Sequence, residues 1–194
     1  VCLRTSAGDF AAGRLIIAAG SWAGRLLELR NVPLVVRRKS LFWFDAAARQ
    51  YDAAAGSPVF LLGLPHGVFY GFPKLDAHGL KVAEHSGGAV VDDPLAVDRE
   101  IDRDEERRLC EFLADHLPGV SPRVMDHAVC LYTMSPDEHF IVDRHPRHAN
   151  VVFAAGLSGH GFKFVPALGR ALAELALDGR TELPIGFLSL GRFG

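Results

Sequence analysis

Val151-Val152-Phe153-Ala154-Ala155-Gly156-Leu157-Ser158-Gly159-His160-Gly161-Phe162-Lys163-Phe164 is the stretch whose reading decides the fold. Apolar residues running from Val151 to Ala155 without alternation predict a strand buried on both faces. Gly156 to Gly161 then make a tight turn. Beyond it Leu168, Leu172 and Leu175 share one helical face, and Asp178-Gly179 ends the helix, with Gly179 just past its last turn. Strand, glycine turn and helix form half of a doubly wound α/β unit. Gly159 and Gly161 allow a ligand to approach the backbone closely, and a helix start offers free N–H groups to negative charge. The same pattern equally serves a plain strand-to-helix turn.

Working outward, Leu15-Ile16-Ile17-Ala18-Ala19 repeats the buried-strand pattern, followed by a Gly20-Ser21 turn and a helical stretch over Trp22 to Arg30. Between these α/β ends the composition changes. Val32 to Phe44 is β-branched and aromatic, interrupted by Arg37, Arg38 and Lys39. Val59–Leu62 and Val68–Phe72 flank Pro65-His66-Gly67, which predicts a hairpin. Leu80 to His85 and Val124 to Tyr132 read as further strands. Asp102-Arg103-Asp104-Glu105 caps a helix carrying Leu109, Phe112, Leu113 and Leu117, and Pro118-Gly119 stops it. The expected class is α+β. A mainly antiparallel substrate-binding sheet over 31–143 is flanked by terminal pieces, 1–30 and 144–194, of an incomplete α/β domain.

Composition narrows the function classes. The chain has 194 residues and is 49% hydrophobic, enough for a sizeable core. A formal net charge of −2 gives no electrostatic case for nucleic acid. No apolar run approaches the roughly 18 residues of a membrane span. Cys2, Cys110 and Cys130 form no CxxC pair, which predicts a reducing, cytoplasmic setting. His139, Asp143, His145 and His148 match no metal-ligand spacing, and Pro146 interrupts them, so no metal site is expected.

Two segments carry chemistry together: Ala-Val-Cys-Leu-Tyr-Thr at 128–133, followed by Asp137 to Asp143, and the Gly-His-Gly-Phe-Lys turn at 159–163. With Phe69-Tyr70-Gly71-Phe72-Pro73 and Leu80-Lys81-Val82-Ala83-Glu84-His85, they closely resemble the flavin-dependent N-methyl amino acid oxidases. These are the monomeric sarcosine oxidase and N-methyltryptophan oxidase family, of the D-amino acid oxidase-like superfamily. The resemblance runs from about Gly13 to Phe193.

It implies FAD as cofactor, covalently tied through Cys130. Further cofactor contacts are implied at Gly20, Trp22, Leu157, Ser158, Gly159, His160, Gly161, Phe162 and Lys163. It implies that Lys81 lies over the flavin edge and promotes reaction with O2, that His85 borders the bound amine, that Tyr70 and Tyr132 line the pocket, and that Lys163 pairs with the substrate carboxylate. The implied partners are a small N-methyl amino acid and O2, with no nucleic acid or membrane. The family's dinucleotide fingerprint and its carboxylate-binding arginine do not occur here. Together with a start at Val1 in mid-pattern, this makes the sequence the expected C-terminal portion of a longer enzyme, lacking its N-terminal FAD-binding part.

Two other classes remain open at this stage. Gly-Leu-Ser-Gly-His-Gly superficially matches a nucleophile elbow, which would make Ser158 the nucleophile of a hydrolase. A non-catalytic binding module would keep the pocket around Tyr70 and His85 without flavin chemistry. Glu84 beside His85 is a departure expected to bear on selectivity.

Overall fold

In the computed structural model, which describes residues 1–29 and 31–194, the polypeptide divides into two units: Val1–Val36 with Tyr132–Gly194, and Arg37–Leu131.

The first unit is built on a three-stranded sheet of order β3-β10-β9: β3 Leu15–Ile17, β10 His148–Ala155 and β9 Ile141–His145. β10 runs parallel to β3 and antiparallel to β9. Alternation along β10 sends Val152 and Ala154 to one face, against Leu168 and Leu172 of α3 (Val165–Leu177). Phe153 and Ala155 go to the other face, against Ala23 and Leu27 of α1 (Ala23–Leu27). The unbroken apolar run at 151–155 is therefore a central strand covered on both sides. Leu15–Ile17 has the same composition, yet it is the sheet edge and Ile16 is 43% exposed, so the expectation of burial on both faces fails there. The expected N-terminal helix is also shorter. It follows a 3-10 turn at Gly20–Trp22 and stops where Glu28 turns left-handed (φ 46°); Arg30, its expected end, lies outside the described residues.

Unforeseen in the sequence is an antiparallel hairpin of β1 (Cys2–Thr5) and β2 (Gly8–Ala11), exposed along both strands. At the other end Arg192 clamps the C-terminal turn: Nε donates to Asp137 Oδ2 at 2.7 Å and Nη2 to Asp137 Oδ1 at 3.0 Å. The Arg192 guanidinium holds the Asp137 carboxyl well below the usual carboxylate range.

The second unit carries a five-stranded sheet of order β5-β6-β7-β4-β8, with β4 Val35–Ala46, β5 Phe60–Leu64, β6 Gly67–Phe72, β7 Leu80–Glu84 and β8 Val120–Met134. β5 and β6 form the expected hairpin around Pro65-His66. β6–β7 and β4–β7 are antiparallel too. α2 (Arg103–His116) is capped by Asp102, whose carboxylate accepts the N–H groups of Asp104 and Glu105 at 2.9 and 3.0 Å. Its Leu109, Phe112 and Leu113 pack on Phe42, Phe44, Phe69, Leu80 and Val82. Phe69 and Phe112 stack at 4.4 Å. Arg38, buried, pairs with Glu105 at 2.7 Å and ties β4 to the helix. The class is α+β as expected. Among the described residues no helix is long and apolar enough to cross a membrane.

Candidate functional site

Alternation along β7 divides its side chains between two faces. Leu80 and Val82 enter the core under α2, while Lys81, Ala83 and His85 alternate to the opposite side. Lys81 stands opposite Trp43 on β4 and Phe72 on β6. Its ammonium consequently sits between two aromatic faces, 5.2 Å from the Trp43 ring centroid and 5.3 Å from that of Phe72. Tyr70, two residues from Phe72 and paired with Ala83, meets the His85 ring edge-on at 6.3 Å. The strand pairing thus brings Tyr70, Lys81 and His85, three of the expected site residues, to one sheet face.

Cys130 on β8 joins them electrostatically. It is half-buried, and burial pushes its thiol up, while the charges of Lys81 and Lys39 pull it back toward the thiolate. Cys110, by contrast, is raised by burial and by two glutamates of its own helix. Trp43 and Lys39 were not among the expected site residues. The visible signal was the basic triplet Arg37-Arg38-Lys39 interrupting an apolar aromatic run. Only the register shows that Trp43 flanks Lys81.

The glycine turn belongs to the other unit, as do Tyr132 and Lys163. Gly159 has a left-handed backbone (φ 82°), and a Cβ there would lie 2.2 Å from the Tyr132 ring. Tyr132, of the same unit, thus packs directly on the Cβ side of this glycine. Around it Gly20, Trp22, Phe162 and Lys163 are exposed, Phe162 at 92%. Leu157 and His160 are half-buried, Gly161 is buried, and a Cβ on Gly161 would strike the Leu157 side chain. Lys163 and His160 line a largely apolar cavity of about 420 Å³ with Phe140, Phe164, Phe187 and Leu188. α3 begins at Val165, after a short 3-10 turn over Phe162–Phe164, so the first helical N–H groups come later than the glycines.

Several sequence readings are corrected. Ser158 is 1% exposed; its hydroxyl donates to the Gly156 carbonyl at 3.0 Å and accepts the Ser135 N–H at 3.3 Å. His160 Nδ1 faces the Ser158 carbonyl, not its hydroxyl. With its oxygen hydrogen-bonded to backbone as both donor and acceptor, the Ser158 hydroxyl is held as a structural group rather than presented as a nucleophile. Glu84 turns away from His85 by strand alternation, toward Ser86 and Arg108, so it does not add charge beside the imidazole's pocket face. His145 is buried, with Nε2 2.9 Å from the Leu27 carbonyl and Nδ1 accepting the Arg147 N–H, rather than in a solvated loop.

Comparison with known proteins places this geometry in context. The sequence model of the family described as FAD dependent oxidoreductase (DAO) matches residues 1–175. The chain is 39% identical over 196 residues to a monomeric sarcosine oxidase of Bacillus sp. (strain NS-129), covering 99% of this chain and 50% of that protein. It is 36% identical to an N-methyl-L-tryptophan oxidase of Escherichia coli, covering 100% of this chain and 51% of the other. Among solved structures, NikD, an unusual amino acid oxidase essential for nikkomycin biosynthesis, superposes with a TM-score of 0.77 at 25% identity, covering 97% of this chain and 50% of that one. The chain spans about half the length of the curated relatives it matches.

Proposed function

Because the chain belongs to the FAD dependent oxidoreductase family, we propose that it contributes the substrate-facing portion of an amine oxidase acting on N-methyl amino acids of the sarcosine or N-methyltryptophan type. The observation that carries this reading is the Lys81 ammonium held between Trp43 and Phe72, on the sheet face of Tyr70 and His85 and within the field of the Cys130 thiol.

The residues present fit a flavin. Cys130 is the residue proposed to carry it covalently; burial raises its thiol, and the charges of Lys81 and Lys39 oppose that rise in favour of the attacking thiolate. Leu157, Ser158, Gly159, His160, Gly161, Phe162 and Lys163, with Gly20 and Trp22, are the other residues assigned to hold it, in a domain contributed by 1–30 and 144–194. Bound there, FAD would supply the two-electron chemistry by which the amine is oxidised to an imine and O2 is reduced to H2O2, the imine then being hydrolysed to formaldehyde and the demethylated amino acid.

The protein's part is to bind and orient. Tyr70 and His85 border the amine, in a substrate domain proposed to span 31–143, and Tyr132 is retained as a proposed pocket residue. Lys163 offers a cation to the substrate carboxylate. Lys81 supplies a fixed positive charge where O2 acquires negative charge, and its flanking rings hold the ammonium in place without neutralising it. Three unpaired cysteines suit a reducing, cytoplasmic compartment.

The deciding measurement is a denaturing mass spectrum after incubation with FAD, with visible absorbance read on the acid precipitate. A gain of one FAD that disappears in Cys130→Ser supports covalent attachment. FAD released on denaturation leaves the oxidase reading and overturns the covalent link. A protein that neither retains flavin nor yields peroxide with N-methyl amino acids overturns the oxidase reading in favour of a binding module.

A further inference from the structure

Lys39 is the charged residue least explained by the site so far described. It lies on β4 at 3% exposure, and its Nζ donates to the carbonyls of His85, Ser86 and Gly87 at 2.8, 2.7 and 2.6 Å. An ammonium has three N–H donors, and three consecutive carbonyls meet them. Backbone carbonyls in sequence do not ordinarily converge on one point. Here they do because Gly87 and Gly88 both adopt left-handed conformations, φ 64° and 95°.

The neighbouring residues hold the same turn. Arg37 Nη1 donates to the Gly88 carbonyl at 2.8 Å, and the Arg38 N–H to the Ala89 carbonyl at 2.8 Å. A Cβ on Gly88 would lie 2.4 Å from the Arg38 carbonyl oxygen and 3.2 Å from both Cε and Nζ of Lys39. The turn therefore sits flush on the basic triplet, with only a cavity of about 10 Å³ beside it, room for about one water. On its other side the His85 N–H donates to the Val68 carbonyl at 2.6 Å, and Ser86 Oγ accepts the Val68 N–H at 3.0 Å.

We propose that Lys39 is a positioning residue of the substrate pocket: by gathering the carbonyls of residues 85–87 on its buried ammonium, it fixes the turn that presents His85 beside Tyr70. His85 follows directly on β7, so its ring direction depends on where the chain goes next, and Lys39 is what holds that next step. This rests on the preceding reading only for the place of His85 beside the bound amine.

The cage is also a titrating device. Burial lowers Lys39 from its ordinary 10.5 to about 8, opposed by Glu84. The charged or titratable groups facing it are Arg37 from its own strand, Glu84 from β7, Glu105 from α2 and Cys130 from β8; Arg108 of α2 lines the adjoining cavity. Loss of the proton near pH 8 removes one donor and the charge from three carbonyls at once.

Two variants of the full chain separate these effects. Lys39→Met removes charge and donors; Lys39→Gln removes the charge and keeps an amide donor. In Lys39→Met, amide exchange over residues 85–89 is expected to accelerate about tenfold or more, while α3 is unchanged. Lys39→Gln should recover part of that protection. The His85 imidazole resonance should show an inflection near pH 8, in addition to its own titration, that both variants lack. With FAD loaded, KM for the N-methyl amino acid in Lys39→Met should rise about fivefold or more, with kcat within about twofold. Exchange over 85–89 within about twofold of wild type, or an inflection that persists in the variants, would overturn the proposal. If Lys39→Met does not fold, the His85 titration in Lys39→Gln decides alone. Exchange and the His85 resonance need no flavin, so failure of the oxidase reading leaves both informative, and FAD uptake with unchanged exchange sinks the Lys39 role only.

Discussion

The two faces of the β5-β6-β7-β4-β8 sheet use neighbouring residues of the same strands for opposite purposes. Under α2, Phe42, Phe44, Leu80 and Val82 are buried almost completely among Leu109, Phe112 and Leu113. One residue along each strand, Trp43 and Lys81 meet on the other face, half-exposed, with Tyr70, Phe72 and His85 nearby. Period-two alternation makes this division possible without a separate scaffold. Stability is concentrated on the face where the strands bury apolar side chains against α2. The other face can then hold a half-exposed cation and aromatic surface that contribute little to folding.

The comparison is open to attack from its strongest point downward. Truncating the centre of the closed face, Phe112→Ala, should cost about 3–5 kcal/mol in urea unfolding, because the ring stacks on Phe69 at 4.4 Å and its loss leaves a cavity. A cost near that of a surface substitution would mean that the helix-covered face is not where stability resides. On the open face, Lys81→Met should leave stability almost unchanged yet slow reaction of the reduced, flavin-loaded protein with O2 by roughly 10²–10³, with reduction by substrate little affected. Equal slowing of both half-reactions in stopped flow would remove the special role of that cation.

Lys39 supplies a subtler test, by pH. The unfolded chain keeps this lysine protonated up to about pH 10.5, whereas the folded chain releases the proton near 8. The unfolded state therefore binds more protons between these values, so stability rises with pH across the window, and below it the buried charge is a standing cost. Comparing wild type with Lys39→Met cancels the other groups titrating there. The wild-type protein should gain on the order of 1–3 kcal/mol relative to the variant between pH 8 and 10.5. A difference flat with pH would show that Lys39 is not held as a buried cation.

How much of this was legible in the sequence depended on whether the signal was local. The β5–β6 hairpin, α2 with its Asp102 cap, and α3 ending at Leu177 just before Asp178-Gly179 each carry their own periodicity and punctuation. The β1–β2 hairpin carries none, because with both strands exposed it has no buried face to impose alternation. β8 extends to Val120–Met134, beyond the expected 124–132, because pairing rather than composition sets its length. Tyr70, Lys81, His85 and Cys130 were found through their motif; the meeting of the first three on one face, and the escape of Glu84 to the other, followed only from register.

Composition and motif by themselves determined the α+β class, the family and the residue types available for chemistry, since these depend on short-range pattern. The tertiary structure decided which chemistry each could do. Ser158 and Gly159 stand in one glycine-rich motif, where the first has its hydroxyl on backbone groups and the second packs its Cβ side against the Tyr132 ring. Lys39 looks like an ordinary strand lysine, yet three carbonyls from 46 to 48 residues away close around it. Hydrogen-bond partners and burial are properties of neighbours distant in sequence, and only the folded chain brings those neighbours within reach.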